Sequence, residues 1–356
     1  MKVYAFPADE HGCGHYRIIW PAEQLIKDGV DVTLVKADSR DVGLQGVIKD
    51  DRLVDVHIPA DADVMVLQRV SHRFIADAIP IIRAKGVAVV VEIDDDLTRI
   101  DPRNPAFNFL HPGTKKTQQD RDHSWHNTVR ACQNATMVVT STPALLDVFA
   151  RHGRGRVFDN YIQEKVYEIP RLDHNAIGWA GSVHSHPGDL QVMGSSVNQL
   201  VQQGYDFMII GTGEGAHQAW GLTPDTGLRT TGATDVHHWP FYVSQLGVGV
   251  APLADTKFNA AKSWLKMAEM AAAGVPCIGS PRAEYLRLHK LTGVGWMAKD
   301  PGEWKKKIKL LADDAILREE MSQQGRESMR PYTMEGNAWR LAEIWEEAWK
   351  LEKSLH

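Results

Sequence analysis

Short apolar runs alternate along this chain with longer stretches whose apolar positions recur at helical spacing. "KVYAF" opens the series, and a glycine-bearing loop, "PADEHGCGHYR", leads from it into a helical pattern that stops near Gly29. "VDVTLV", "ADVMVL", "GVAVVVEI" and "ATMVVT" continue the alternation, with helices predicted around Phe74–Lys85 and Pro143–Arg151, and "GRVFDNYI" closes the unit. The stretch "EKVYEIPRLDHN" has no strong period and reads as a linker. A second unit then repeats the logic with "AIGWAG", "YDFMIIG", "LGVGVAPL", "GVPCIGS" and "GVGWMA", and with helices predicted at Asp189–Gln203, Ala261–Ala273 and Pro301–Ala312. In "NAWRLAEIWEEAWKLEKSL", Trp339, Ile344, Trp345, Trp349 and Leu351 fall at roughly helical spacing, so the chain closes on a long amphipathic helix. Strand and helix in alternation predict an α/β protein with parallel sheets. The expected architecture is two such domains, 1–170 and 171–330, facing a cleft, with the helical segment 331–356 after them. Ligands in such sheets sit outside the carboxyl ends of the strands, so the loops there are the places to search.

Composition narrows the function classes. The chain has 356 residues, 43% of them apolar, enough for two full cores. A net charge of −5 argues against a protein that tracks polyphosphate by bulk electrostatics, so nucleic acid is disfavoured as a partner. Cys13, Cys132 and Cys277 are odd in number and far apart, which predicts free thiols and a reducing cytoplasm. The N-terminus lacks the apolar core of a signal peptide, and no apolar run approaches the ~18 residues that span a bilayer. The expectation is a soluble, cytoplasmic protein.

Four loops carry candidate chemistry. In "HGCGHYR", Gly12 and Gly14 let the backbone approach an anion closely, with Arg17 on the first helical turn; a tight strand-to-helix turn fits the same residues equally well. In "FNAAKSWLKMAEMAAAGVP", Lys262, Lys266 and Glu269 fall on one predicted helix face, and Ser263 lies near its N-terminus, where hydroxyl, amides and dipole favour phosphate. A solvated Lys/Glu face is the commoner cause of such spacing. It follows a strand end, "GVGVAPL", where ligands collect.

"IIGTGEGA" matches a G-x-G-x-x-A pattern at Gly211, Gly213 and Ala216. No convincing helix follows, since Gly221 and Pro224 interrupt the next stretch, and no strand ends in an acid at the required distance. It reads as a glycine-rich turn lining a cleft, which argues against a dehydrogenase. In "GWAGSVHSHPGDL", Gly181 and Ser182 end a strand and Asp189 falls in the first turn of a predicted helix. His184 and His186 lack a clear third ligand, so hydrogen bonding to a polar ligand fits them better than metal, and plain surface histidines fit as well.

Taken together, Gly12 to Arg17, "EIDDDL" at Glu92–Leu97, "GWAGS" with "HPGDL", and the Phe258–Glu269 block resemble the GT-B glycosyltransferases of retaining family 4 and its bacterial and phage relatives. The likeness covers most of the chain in order. It implies two Rossmann-like domains around a central cleft and a final helix crossing back to the N-terminal one. It also implies a nucleoside-diphosphate sugar as donor, no cofactor, and a hydroxyl acceptor on a glycan, small molecule or macromolecule.

By that resemblance Lys262, Ser263 and Lys266 would lie near the diphosphate and Glu269 would bind the ribose. Gly12, Gly14, Gly181, Ser182, His186 and Gly211 would line the donor site. Many relatives carry a second glutamate eight positions before the first, but here Ala261 stands in that place, which leaves Asn259 or backbone amides to hold the sugar. Relatives also place a cation after the "GS" loop; here Lys262 and Arg17 are the candidates instead.

Three aspartates at a strand end, Asp94 to Asp96, invite a metal, as the Asp-x-Asp of the other glycosyltransferase architecture holds one. The GT-B likeness points to cationic phosphate handling without metal, and puts Asp94 where many relatives have a histidine near the reacting sugar. Asp94 or Asp95 then positions acceptor or sugar, and Asp96 equally fits a cap on the following turn. Two other readings stay open: a sugar transferase acting on modified bases of phage DNA, with Lys115, Lys116 and Arg121 as a basic rim, and a non-catalytic nucleotide-sugar-binding module.

Overall fold

The computed structural model describes residues 1–36, 43–111, 122–170 and 175–356. Lys115, Lys116 and Arg121 lie outside the described residues. The chain divides into two compact units, one of 1–102, 106–160 and 334–356, the other of 103–105 and 161–333.

In the first unit the strands are β1 (Val3–Phe6), β2 (Val32–Leu34), β3 (Gln45–Lys49), β4 (Arg52–His57), β5 (Val64–Gln68), β6 (Ala88–Ile93), β7 (Met137–Thr140) and β8 (Gly155–Val157). Six of them form a parallel sheet in the order β2-β1-β5-β6-β7-β8. Every residue of β5, β6 and β7 is buried, as expected of central strands covered by helices on both faces. Chain order reverses between β1 and β5, so their carboxyl ends diverge and leave a crevice.

The hairpin β3–β4 is absent from the sequence reading. Its strands are short, charged and largely exposed, and its turn is Asp50-Asp51 with both residues at positive φ, 50° and 57°. That conformation matches the twist of a two-residue hairpin, but Asp-Asp is a much weaker signal for it than Asn-Gly. The helix Trp125–Asn134, capped by Ser124, was likewise missed.

The second unit is built on β9 (Ile177–Ala180), β10 (Phe207–Ile210), β11 (Arg229–Thr230), β12 (Val248–Ala251), β13 (Cys277–Gly279) and β14 (Trp296–Met297). They pair in parallel in the order β11-β10-β9-β12-β13-β14, a Rossmann order whose reversal point lies between β9 and β12. Trp179, Trp220 and Trp304 are fully buried in its core. The main run of this unit begins at Tyr161, ahead of the expected 170 boundary, because that stretch is tied into it. Ile162 bridges Thr333, and the Arg326 guanidinium donates to the Tyr167 and Ile169 carbonyls.

The closing helix, Trp339–Lys353, belongs to the first unit and lies against β6. Its buried stripe is Leu341, Ile344, Trp345, Ala348 and Glu352, whereas Trp339, expected inside, is 47% exposed. Glu352 is a buried carboxylate that accepts from Arg83 Nε at 2.8 Å and from the Thr136 hydroxyl. Removing one partner of a buried charge pair strands the other, so Glu352→Ala should lower unfolding free energy by about 3 kcal/mol in chemical denaturation. Glu352→Gln, which keeps an acceptor for Thr136, should lose less.

Candidate functional site

The second unit gathers its polar groups at the β9/β12 reversal point. β9 ends at Ala180, and Gly181 follows at φ 153°; a Cβ there would lie 2.6 Å from the Trp179 ring and 3.0 Å from Lys266 Nζ. Gly211, at φ 109° after β10, packs directly on the Gly181 carbonyl, so a side chain at 211 would strike the Gly181 backbone. Ser182 opens a short turn in which His184 is an exposed residue 3.3 Å from Glu214. His186 turns inward instead.

The His186 ring packs edge-on against Trp179 and its Nδ1 lies 3.0 Å from Asp189 Oδ2. Burial pushes the His186 pKa down to about 4, against the opposing hydrogen bond from Asp189, and Lys266 and Lys262 push it further down. His186 is therefore a neutral imidazole at pH 7, with Nδ1–H donating to Asp189 and Nε2 left as an acceptor.

Asp189 itself is almost fully buried. Its Oδ1 also accepts from Ala254 N at 2.9 Å and from Asn259 Nδ2 at 2.6 Å. One carboxylate thus joins the loop after β9, the segment after β12 and the turn that leads to the lysines. The long helix expected from Asp189 is replaced by a 3₁₀ turn, Leu190–Met193, and a separate helix, Ser196–Gln202, broken at Gly194 (φ 54°). Asp189 binds neighbours from other segments, and its side chain does not cap the turn.

The Phe258 block also differs from expectation. Asn259–Ala261 is a 3₁₀ turn and the helix starts only at Leu265, so Lys262 and Ser263 lie in the approach to the helix, off the face that carries Lys266 and Glu269. Ser263 Oγ accepts from Leu265 N at 3.5 Å, at the amide-rich end of that helix. Asn259 is 4% exposed, and its amide donates to Asp189 and to Ala254 O, so it supports the site from behind and does not fit the sugar-contact role.

Lys262 Nζ stands 4.6 Å over the Phe258 ring and Lys266 Nζ 4.4 Å over the Trp179 ring. Lys266 also donates to Ala180 O. Burial lowers its pKa to about 8, with Glu269 pulling it up and Lys262 pushing it down. These neighbours would favour an added anion.

In the first unit the loop after β1 is held by Asp9, whose Oδ1 accepts from His11 N and Gly14 N at 2.9 and 3.0 Å. Gly14 packs on the Asp9 backbone too closely for any Cβ, whereas a Cβ on Gly12 would meet open space. Residues His15–Ile19 form a π-helical turn that carries Arg17 inward. Arg17 is 1% exposed; its Nε meets Glu92 Oε1 at 2.5 Å and its Nη1 donates to Phe158 O and Asn160 Oδ1. A guanidinium so enclosed does not fit the phosphate-binding role expected of it. Burial pushes its partner Glu92 up to about 7, against the lowering pull of Arg17.

Arg69, unnoticed in the sequence, is the half-buried cation at this crevice. It follows β5 at φ 49°, grips both Asp94 oxygens, and lies 3.5 Å from Asp95 and 3.0 Å from Cys13 Sγ. Burial would raise the Asp94 pKa, but the Arg69 charge and its two hydrogen bonds outweigh that and hold it below the usual carboxylate range. Asp94 is thereby a fixed carboxylate turned to an arginine. Asp96 caps the next turn, accepting from Thr98 N and Oγ1 at 3.2 and 2.6 Å. Asp94 and Asp95 both face Arg69 while Asp96 turns to Thr98, and among the described residues no group of three metal-ligating side chains comes together. A cavity of about 580 Å³ opens beside Asp9 and Arg69, at the β1/β5 crevice.

Solved structures share this fold along nearly the whole chain. Anabaena HepE, solved in complex with UDP, is 11% identical and aligns over 98% of this chain and 100% of its own, with a TM-score of 0.60. Sucrose-phosphate synthase from Thermosynechococcus elongatus is 12% identical over 98% and 100%, with a TM-score of 0.61. An alpha-glucosyltransferase solved with UDP and a 13-mer DNA is 13% identical over 97% and 99%, with a TM-score of 0.62.

The chain has the GT-B fold.

At such identities the likeness is one of fold. The sequence matches no protein-family model and no curated protein. Within this GT-B chain the two polar clusters occupy the reversal points of their respective sheets, one in each unit.

The His186 pKa carries a testable sign. Between about 4 and its unfolded value near 6.5 the unfolded state binds more protons, so the stability it contributes is present above 6.5 and lost as pH falls toward 4. In His186→Gln the dependence of melting temperature on pH across that window should flatten; an unchanged slope would contradict the buried neutral histidine.

Proposed function

We propose that this chain is a glycosyltransferase that moves a sugar from a nucleoside-diphosphate sugar to a hydroxyl acceptor, with retention at the anomeric carbon. The observation that carries the reading is the convergence at the β9/β12 reversal point. Two close-packed glycines, two lysines and a helix N-terminus all meet there around a neutral histidine. Such a set suits a diphosphate with a polyhydroxyl group attached, and neighbours of the same fold were solved with UDP. A uridine diphosphate sugar is therefore the first donor to test.

In this reading Lys262, Lys266 and the amides at Ser263 to Leu265 take up the charge that develops on the departing diphosphate. Glu269 holds the ribose, and His186 Nε2 accepts from a sugar hydroxyl. Gly181, Ser182 and Gly211 form the wall. The bond from the anomeric carbon to the diphosphate oxygen breaks with its electron pair, and the acceptor oxygen takes its place as the hydroxyl proton is released. Asp94 and Asp95, held by Arg69, position the acceptor side, with Gly12 and Gly14 shaping the loop beside them. One neighbour was solved with DNA containing an HMU base, which keeps a DNA acceptor as a second reading.

Lys266 supplies the test. A bound diphosphate favours its charged form, so affinity is fully present below about 8 and declines as pH rises through that value. Calorimetric titration with UDP from pH 7 to 9 should show affinity falling by at most tenfold per pH unit in the wild type. Lys266→Met should bind roughly tenfold to a hundredfold more weakly at pH 7 and show no such decline. Wild-type protein that fails to bind any nucleoside diphosphate would sink the proposal.

A further inference from the structure

The first-unit cavity has a chemistry of its own. Its volume, about 580 Å³, is that of a small-molecule site, and it lies at the β1/β5 crevice. Its walls are dominated by aliphatic and aromatic side chains, among them Phe6, Leu67, Val70, Ile75 and Leu97. One corner is aromatic: the Phe109 and His123 rings lie 4.4 Å apart and His72 meets His123 edge-on at 4.9 Å. Burial lowers the His72 pKa, so that ring is neutral and presents an apolar surface at pH 7.

The polar groups of the lining are already engaged. Gln68 accepts from Ala8 N and donates to Cys13 O. Ser71 Oγ pairs with His123 Nδ1, and His72 Nδ1 accepts from Phe74 N. The Arg69 guanidinium is turned to Asp94. Lys36 is exposed at the rim. Asp9 differs: its Oδ1 is spent on the loop, but Oδ2 stands 3.8 Å from Arg69 on a side chain that is 27% exposed.

A saccharide acceptor would bring a hydroxyl on nearly every carbon into walls that cannot replace its water, at a cost of about 1–3 kcal/mol for each group left unpaired. A flat apolar ring has the opposite needs. We infer that the acceptor held in this cavity is a small aromatic or heteroaromatic alcohol, its ring stacked on the Phe109–His72 corner and its hydroxyl donated to Asp9. This rests on the glycosyltransferase reading for its chemistry. The acceptor oxygen forms the new glycosidic bond as the bond to the diphosphate breaks, and the hydroxyl proton passes to the released diphosphate.

The test uses the full chain with 2-naphthol, 2-methoxynaphthalene, maltose and a single-stranded hydroxymethyl-pyrimidine oligonucleotide as probes, and with UDP as a separate probe of the second unit. Saturable binding of 2-naphthol, tighter than that of its methyl ether, is the expected result. Phe109→Ala should weaken it roughly threefold to tenfold without unfolding the chain, because that ring is 47% exposed. Asp9→Asn should erase the preference for the alcohol over the ether, and Ile75→Trp should fill the cavity and abolish binding.

Absence of 2-naphthol binding overturns the inference, as does tighter binding of maltose or of the oligonucleotide that is lost in Phe109→Ala. Binding of 2-naphthol as described without UDP binding supports the cavity's assignment while removing the glycosyltransferase reading. UDP binding without 2-naphthol binding does the reverse.

Discussion

One buried carboxylate organises the second unit. Asp189 accepts from His186 just before it in the chain and from the Ala254 amide and Asn259 in the segment after β12. A buried carboxylate is costly unless every lone pair is met, so its partners are held together by the penalty of leaving it unsatisfied. The consequences reach the site. The dyad orients the histidine and sets its tautomer, and the Asn259 anchor fixes the turn that delivers Lys262 and Ser263 to the head of the next helix. Ala261 fits this frame, because it is 3% exposed and packs inward.

The first unit solves a related problem with an arginine. Arg69 occupies a left-handed backbone conformation that costs a non-glycine residue about 1 kcal/mol or more, and its guanidinium is held by two hydrogen bonds to Asp94, one to Cys13 Sγ and the nearby charges of Asp9 and Asp95. Arg17 and Glu92 form a second ion pair behind it, closed off from solvent. Two arginines near one strand end therefore do different work: one stabilises the sheet's interior and one faces the crevice.

Much of this was legible beforehand. The alternation of strands and helices identified two parallel sheets, because buried parallel strands must be almost wholly apolar and their connections long. Gly181, Gly211, His186, Lys262, Ser263 and Lys266 stood out in three separate loops after strand ends, and only the GT-B resemblance joined them into one expected donor site. Arg17 was misplaced for the same reason: a cation beside two glycines looks like an anion site until burial is known. Arg69 directly follows an apolar strand, but its role depends on a positive φ and on Asp94, which lies in a separate loop. Asn259 and Asp189 were assigned local roles, a sugar contact and a helix-dipole partner, when their hydrogen bonds are long-range.

The sequence by itself determined the class of fold, the strand ends that bear chemistry and the residue types available there. These follow from periodicity and from local rules for glycine, which act over a few neighbouring residues. Tertiary structure alone decided which arginine is enclosed and which borders the crevice, which histidine is buried and neutral, and that two of three adjacent aspartates share Arg69 while the third caps a turn. Those outcomes depend on desolvation and on pairing between positions tens of residues apart in sequence, and no local pattern encodes the sign of either.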